Sequence, residues 1–180
     1  ALAGGFLLAL IAGFLTANSI QSKIEVDHPP SGDFVDVDGT RLHLRQTGPR
    51  DREPILVLHG AASNMEEPYS ALAETLKDDH VLWLDRPGLG WSDRPDIEWS
   101  PREEAELITR LLDTLNIQQV LLIGHSWGGA IAMRLALDHP ERVSGLVLIA
   151  PALGAWIGDA AWFNKASFWP VVGPLFTRLL

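Results

Sequence analysis

The chain has 180 residues, a formal net charge of −9, 47% hydrophobic residues and no cysteine. That length is enough for one domain with a sizeable core. The acidic balance, with no offsetting Lys/Arg run, argues against nucleic acid as a partner. The lack of cysteine excludes a disulfide framework and a thiolate metal site.

The first 22 residues carry no charged side chain, and Ala1 to Leu15 is almost unbroken apolar sequence. Seventeen helical residues would span about 25 Å, against a hydrocarbon core of about 30 Å. Residues 1–20 therefore read as a transmembrane or signal-anchor helix, and the protein as a single-pass membrane protein that meets the membrane through this segment. The alternative is a signal peptide cleaved near Ala17-Asn18-Ser19, giving a secreted or periplasmic product. A buried core helix is a third reading, disfavoured because no polar face exists to meet water. The chain does not begin with methionine, so upstream residues are expected, and orientation cannot be read without them. Residues 21–32, with Pro29-Pro30, read as a polar linker.

A core is expected over 33–151. Phe34–Val37 and Arg41–Leu44 alternate apolar and polar residues around Asp38-Gly39, the pattern of an antiparallel hairpin. Pro54–Gly60 reads P-I-L-V-L-H-G, a continuous apolar run as in a strand buried on both faces, and it ends in His59-Gly60. Glu66–Lys77 predicts a helix with Leu72 and Leu76 on one face. Val81–Asp85 is the next strand and opens into Arg86-Pro87-Gly88-Leu89-Gly90-Trp91-Ser92. Ser100-Pro101-Arg102-Glu103 is a helix start, with Ser at N-cap, Pro at N1 and Glu at N3. That helix places Leu107, Ile108, Leu111, Leu112 and Leu115 on one stripe. Gly129–Leu137 is apolar nearly all round, which predicts a buried helix, and Gly145–Ala150 predicts a further buried strand. The alternation gives a mostly parallel α/β sheet with an antiparallel edge and helices on both faces.

The most informative stretch is Val120–Gly129, V-L-L-I-G-H-S-W-G-G. A run of β-formers breaks at Gly124 into a sharp turn, and a small-residue helix follows at once. This is the setting in which G-x-S-x-G becomes a nucleophile elbow. Gly124 and Gly128 flank the serine because a Cβ there would clash with strand or helix. Ser126 is thereby presented at a helix N-terminus, whose unpaired N–H groups favour developing negative charge. No H-E-x-x-H or H-x-x-E-H pattern occurs, so neither a metal nor another cofactor is expected.

With the H-G turn, D-R-P-G-L-G-W-S, the G-H-S-W-G-G elbow, and D-H-P-E-R-V before G-L-V-L-I-A-P, the chain resembles the α/β-hydrolase superfamily over about residues 33 to 151. The resemblance implies an α/β-hydrolase fold, followed to its sixth strand, and Ser126 as nucleophile. It implies an oxyanion hole from the N–H of Trp127 plus one from the loop after the third strand, here that of Ala61. His59 and Gly60 would shape that loop, and His125, beside the serine, would be structural. Asp85 would order the Pro87–Ser92 loop without joining a triad. Trp91 and the Trp127 side chain could line the substrate pocket or pack in the core.

The resemblance implies that residues 152–180, which follow the sixth strand, are the start of a cap; they carry Trp156, Trp162, Phe163, Phe168, Trp169 and Phe176 among glycines and prolines. Trp156, Trp162 and Trp169 would then line an apolar substrate chamber; the alternative is a packing helix over the sheet edge. The superfamily's acid and base follow the serine along the chain. After Ser126 the only histidine is His139, in a segment that reads as the far end of the following helix, and Asp159 is a weak candidate acid. The acid and base are therefore expected beyond Leu180, the chain reads as a fragment, and the fragment alone should be inactive. The expected function is a serine hydrolase that cleaves an ester or related acyl bond of a small apolar substrate. Serine at the elbow, where similar dehalogenases and epoxide hydrolases carry aspartate, argues against those activities. C–C hydrolase, aminopeptidase, haloperoxidase and acyltransferase share the motifs, and a non-catalytic binding protein on the same fold is the rival class.

Overall fold

The computed structural model describes residues 2–95 and 100–154, with side chains described from residue 11 onward. Pro30–Gly154 form one compact unit, and the N-terminal helix belongs to another.

The N-terminal helix α1 runs from Leu2 to Asp27 without a break. It continues through residues 21–27, which the sequence assigned to a linker. The reason is local: Gln21 to Asp27 contain no glycine or proline, and the Gln21 side-chain amide donates to Glu25 one turn on, at 2.8 Å. The Pro29-Pro30 pair then prevents continuation. Among the described residues no helix is long and apolar enough to cross a membrane. The side chains of residues 2–10, which carry much of the apolar run, lie outside the described ones.

The second unit is built on one six-stranded sheet. Its strands are β1 (Asp33–Val37), β2 (Thr40–Thr47), β3 (Pro54–Leu58), β4 (His80–Leu84), β5 (Val120–His125) and β6 (Val143–Ile149). The order across the sheet is β1-β2-β4-β3-β5-β6. β1 and β2 form the expected hairpin, with Val37 opposite Thr40 and both turn residues, Asp38 and Gly39, at positive φ. That is the backbone a two-residue turn needs to match strand twist. β2 meets β4 antiparallel, and β4, β3, β5 and β6 run parallel.

Three helices cover the sheet: α2 (Glu66–Leu72), α3 (Pro101–Thr114) and α4 (Trp127–Asp138). The apolar runs of the central strands divide by the two-residue period. Leu56, Leu58, Leu82, Leu84 and Leu122 pack with α3 and α4, whereas Val57, Val81, Trp83 and Ile123 pack with Met65, Tyr69, Leu72 and Leu76 on the other face. α3 starts as its sequence predicts, with the Ser100 hydroxyl accepting from the Glu103 N–H, and its leucine stripe lies in the core.

Three expectations need correction. The regular helix beginning at Glu66 ends at Leu72, and successive turns carry Leu76 onto the same core face. α4 is buried on one face only: Ile131, Ala132 and Leu135 are covered, while Leu137 is 66% exposed. β6 is not a fully buried strand, because it lies at the edge of the described sheet and leaves Val147 and Ile149 exposed. Residues 155–180, with Trp156, Trp162, Trp169 and the other aromatics of the expected cap, lie outside the described residues.

This division of faces sets a stability contrast. Leu111→Ala, at a fully buried position between α3 and the sheet, should destabilise the fold by about 2–5 kcal/mol in urea titration. Leu137→Ala should change it by less than about 0.5 kcal/mol. Equal losses would mean that α4 is covered all round.

Candidate active site

β3, β4 and β5 end side by side, since Leu58 pairs with both Leu84 and Gly124. The chain leaves the central β3 for a strand on one side and later returns to the other, so the loops at these strand ends diverge. In open α/β sheets that reversal opens a crevice at the carboxyl ends of the strands. Here the three loops begin at His59, Asp85 and Ser126.

Ser126 joins β5 to α4 with φ 51° and ψ −114°, a conformation that L-residues avoid. Its backbone is held on both sides. The Ser126 N–H donates to the Ile149 carbonyl at 3.0 Å, and its own carbonyl accepts from the N–H groups of Gly129 and Ala152 at 3.0 and 2.9 Å. The turn closes only because glycines surround it. A Cβ on Gly124 would lie 2.6 Å from the Gly128 oxygen and Gly129 Cα, and one on Gly128 would run into the Leu58 carbonyl. The spacing read from the sequence therefore reflects backbone contact between β3, β5 and α4.

A cavity of about 390 Å³ opens beside the serine, lined by Gly60, Ala61, Ala62, Ser63, Glu67, His125 and Ser126. The loop after β3 and the elbow thus share one cavity. Trp127 is the first residue of α4, so its N–H has no acceptor within the helix. His125 lies at the cavity wall with its Nδ1 3.4 Å from Glu67 Oε1. Among the described residues no cluster of acidic and histidine side chains could hold a metal ion.

The remaining singled-out residues hold loops. His59 is fully buried; its Nε2 accepts from the Arg86 N–H at 3.0 Å and its Nδ1 donates to the Gly60 carbonyl at 2.9 Å. Burial, with the Arg86 charge nearby, lowers its pKa from 6.5 to about 4, so the ring is neutral. Asp85 is also buried. It accepts from His43 Nδ1 at 2.7 Å and from the N–H groups of Met65 and Trp91 at 2.8 and 2.9 Å. Burial opposes its ionisation, but these donors outweigh it and hold the carboxyl below its ordinary range. Trp91 is thereby fixed through its backbone and does not line the cavity at Ser126. The Trp127 indole packs against the core and donates to Glu104 Oε1 at 3.1 Å. His139 is at the opposite end of α4, about 18 Å along the helix, and its Nε2 lies 3.0 Å from Glu106 Oε1.

Three polar residues that sequence reasoning missed shape this region: His43, Arg86 and Glu104, all buried. Only Glu104 carried a signal, because it falls on the apolar stripe of α3, one turn before Leu107 and Ile108. A carboxylate there requires a buried partner, and Arg86 supplies it at 2.8 Å.

The neutral His59 generates a pH test. The unfolded chain takes up its proton near pH 6.5 and the folded one only near 4. Stability present above pH 6.5 is therefore lost as pH falls towards 4, by about 3 kcal/mol for this group. His59→Gln, though less stable at pH 7, should show a correspondingly shallower decline over that interval in denaturant titrations. A parallel decline would show that His59 is protonated in the fold.

The alpha/beta hydrolase fold family matches residues 53–171. A poly(3-hydroxyalkanoate) depolymerase of Ectopseudomonas oleovorans is 40% identical over 102 residues, 57% of this chain and 36% of the depolymerase. A solved enzyme described as degrading N-acyl homoserine lactones shares 33% identity at a TM-score of 0.60, covering 66% of this chain and 45% of its own. A solved membrane phospholipase A shares 26% identity at a TM-score of 0.66, covering 92% of this chain and 55% of its own. The chain thus spans between about a third and a little over half of the length of these relatives. With the elbow, the sheet order and a match running through most of its 180 residues, the chain belongs to the alpha/beta hydrolase fold family.

Proposed function

We propose that the complete protein is a serine hydrolase that cleaves an ester or related acyl bond of a small apolar substrate. The observation that carries this reading is the strained Ser126 backbone at the wall of a cavity shared with the loop after β3. Strain at a single pinned residue marks a site where position matters more than local comfort. The relatives named as a poly(3-hydroxyalkanoate) depolymerase and an N-acyl homoserine lactone degrading enzyme support ester chemistry.

In this reading Ser126 Oγ attacks the acyl carbon and expels the alcohol, and water then cleaves the acyl-enzyme. The N–H groups of Trp127 and Ala61 hold the tetrahedral oxyanion, a charge that exists only in the transition state and intermediate. Four described histidines of the core are engaged away from the serine: His43 with Asp85, His59 with Gly60 and Arg86, His80 with Gln46, and His139 with Glu106. His125 lines the cavity beside Ser126, with its Nδ1 3.4 Å from Glu67 Oε1. We assign the general base and its acid partner to residues outside the described ones, in the superfamily's order of serine, acid, histidine.

In the complete protein, Ser126→Ala should lower kcat for p-nitrophenyl butyrate by about 10⁴-fold or more with the fold retained. Activity within tenfold of the unaltered protein would show that Ser126 is not the nucleophile, and an unaltered protein without esterase activity would favour a binding role for this fold.

The membrane is the proposed location, single-pass through the N-terminal segment, because residues 2–22, none of them charged, lie within one unbroken helix. The complete protein should then remain in the pellet after a carbonate wash at high pH, and deletion of residues 1–22 should release it. Release of the unprocessed protein by the wash would refute the anchor. Recovery of a form shortened near Ser19 would instead show a cleaved signal.

A further inference from the structure

Behind the Ser126 turn lies a buried ion pair for which the reaction so far has no use. Glu104 stands in the first turn of α3 and Arg86 directly after β4 and Asp85; they meet at 2.8 Å with side chains at most 1% exposed. Burial opposes both charges, pushing Glu104 up and Arg86 down against their mutual attraction. A well-packed apolar pair would often stabilise a fold as well or better. Arg86 Nε even lacks a hydrogen-bond partner, so full satisfaction of the guanidinium does not explain its placement.

The remaining contacts do. Glu104 Oε1 accepts from the Trp127 indole at 3.1 Å, and Arg86 Nη2 donates to the Gly60 carbonyl at 2.9 Å. The backbone N–H of Arg86 also fixes His59, whose Nδ1 donates to that same carbonyl. The ion pair therefore ends on the residue after the elbow serine and on the Gly60–Ala61 peptide. Peptide planarity makes the second contact consequential. In a trans unit the Gly60 carbonyl and the Ala61 N–H lie in one plane and point in opposite directions, and no cis peptide occurs among the described residues. With the carbonyl drawn inward by two buried donors, the Ala61 N–H is turned the other way, towards the cavity that Ala61 and Ser126 line. A cationic donor on the carbonyl also polarises the peptide and strengthens its N–H.

We propose that Glu104 and Arg86 are positioning residues that set both donors of the oxyanion hole, Arg86 by orienting the Gly60–Ala61 peptide and Glu104 by anchoring Trp127 at the start of α4. The proposal rests on the reading of Ser126 as nucleophile and of these two N–H groups as its oxyanion donors. It makes the pair act in the transition state and leave substrate binding largely alone.

The test uses the complete protein with p-nitrophenyl butyrate as substrate and a phenylboronic acid, whose serine adduct carries a charged tetrahedral centre. Glu104→Gln, Arg86→Lys and Trp127→Phe are compared with Ser126→Ala as reference. Losing a whole oxyanion donor costs about 100- to 1000-fold, so a misdirected one should lower kcat about 10- to 100-fold. KM should move less than about twofold, and boronate affinity should fall in parallel with kcat. Trp127→Phe removes the indole N–H and leaves the ion pair in place, so it decides the matter if the charge variants do not fold. Unchanged kcat and boronate affinity with a lowered melting temperature would make the pair a purely structural one and overturn the proposal. So would a rise in KM at constant kcat. If Ser126→Ala itself remains active, the nucleophile reading fails first and the proposal with it.

Discussion

The backbone of Ser126 is the constraint on which the rest of this structure depends. A residue at φ 51° and ψ −114° costs about 1–3 kcal/mol and persists only where its surroundings leave no alternative. They are supplied by three contacts: the carbonyl at the end of β6, the first turn of α4, and the Ala152 N–H just beyond Pro151. Bringing β5, α4 and the end of β3 that close requires glycine at 124 and 128, where any side chain would overlap backbone atoms. The serine is thus exposed to the cavity by a close-packed backbone junction.

Around that junction the protein places buried polar groups where an apolar core would be the simpler solution. Asp85 gathers donors from β2, from the start of α2 and from the loop after β4, so one carboxylate ties three segments to the strand ends. Arg86 and Glu104 extend the network under the loop after β3 to the start of α4. Because each donor or acceptor would be costly to leave unpaired in a dry interior, the loops around the cavity have few alternative arrangements. Rigid loops suit a site whose donors must meet a charge that forms only briefly.

Much of this was legible in the sequence, and the residues show why. The Asp38-Gly39 hairpin and the Ser100 cap depend on contacts within a few residues, so local pattern carries them. The leucine stripe of α3 and the glycine-flanked elbow meet distant strands, but the residue types those contacts demand fall at fixed spacing within one short segment. The exposed faces of α4 and β6 were not legible, because which side of an apolar segment is covered depends on what packs against it. The polar network was hidden for a related reason. Arg86 sits in a loop, and His43 lies in a strand between Leu42 and Leu44, all three buried, where no periodicity sets it apart. Their partners lie 18 and 42 positions away. Glu104 alone broke a pattern, as a carboxylate on an apolar stripe.

The most direct test of the central claim is to locate the covalent bond itself. The complete protein would be treated with a fluorophosphonate, digested, and the adducted peptide sequenced by tandem mass spectrometry. The account predicts a single phosphonylated residue, Ser126, with the adduct absent from heat-unfolded protein, because only the folded elbow presents the hydroxyl beside its donors. An adduct on another residue, or no adduct on a folded protein that hydrolyses esters, would contradict it.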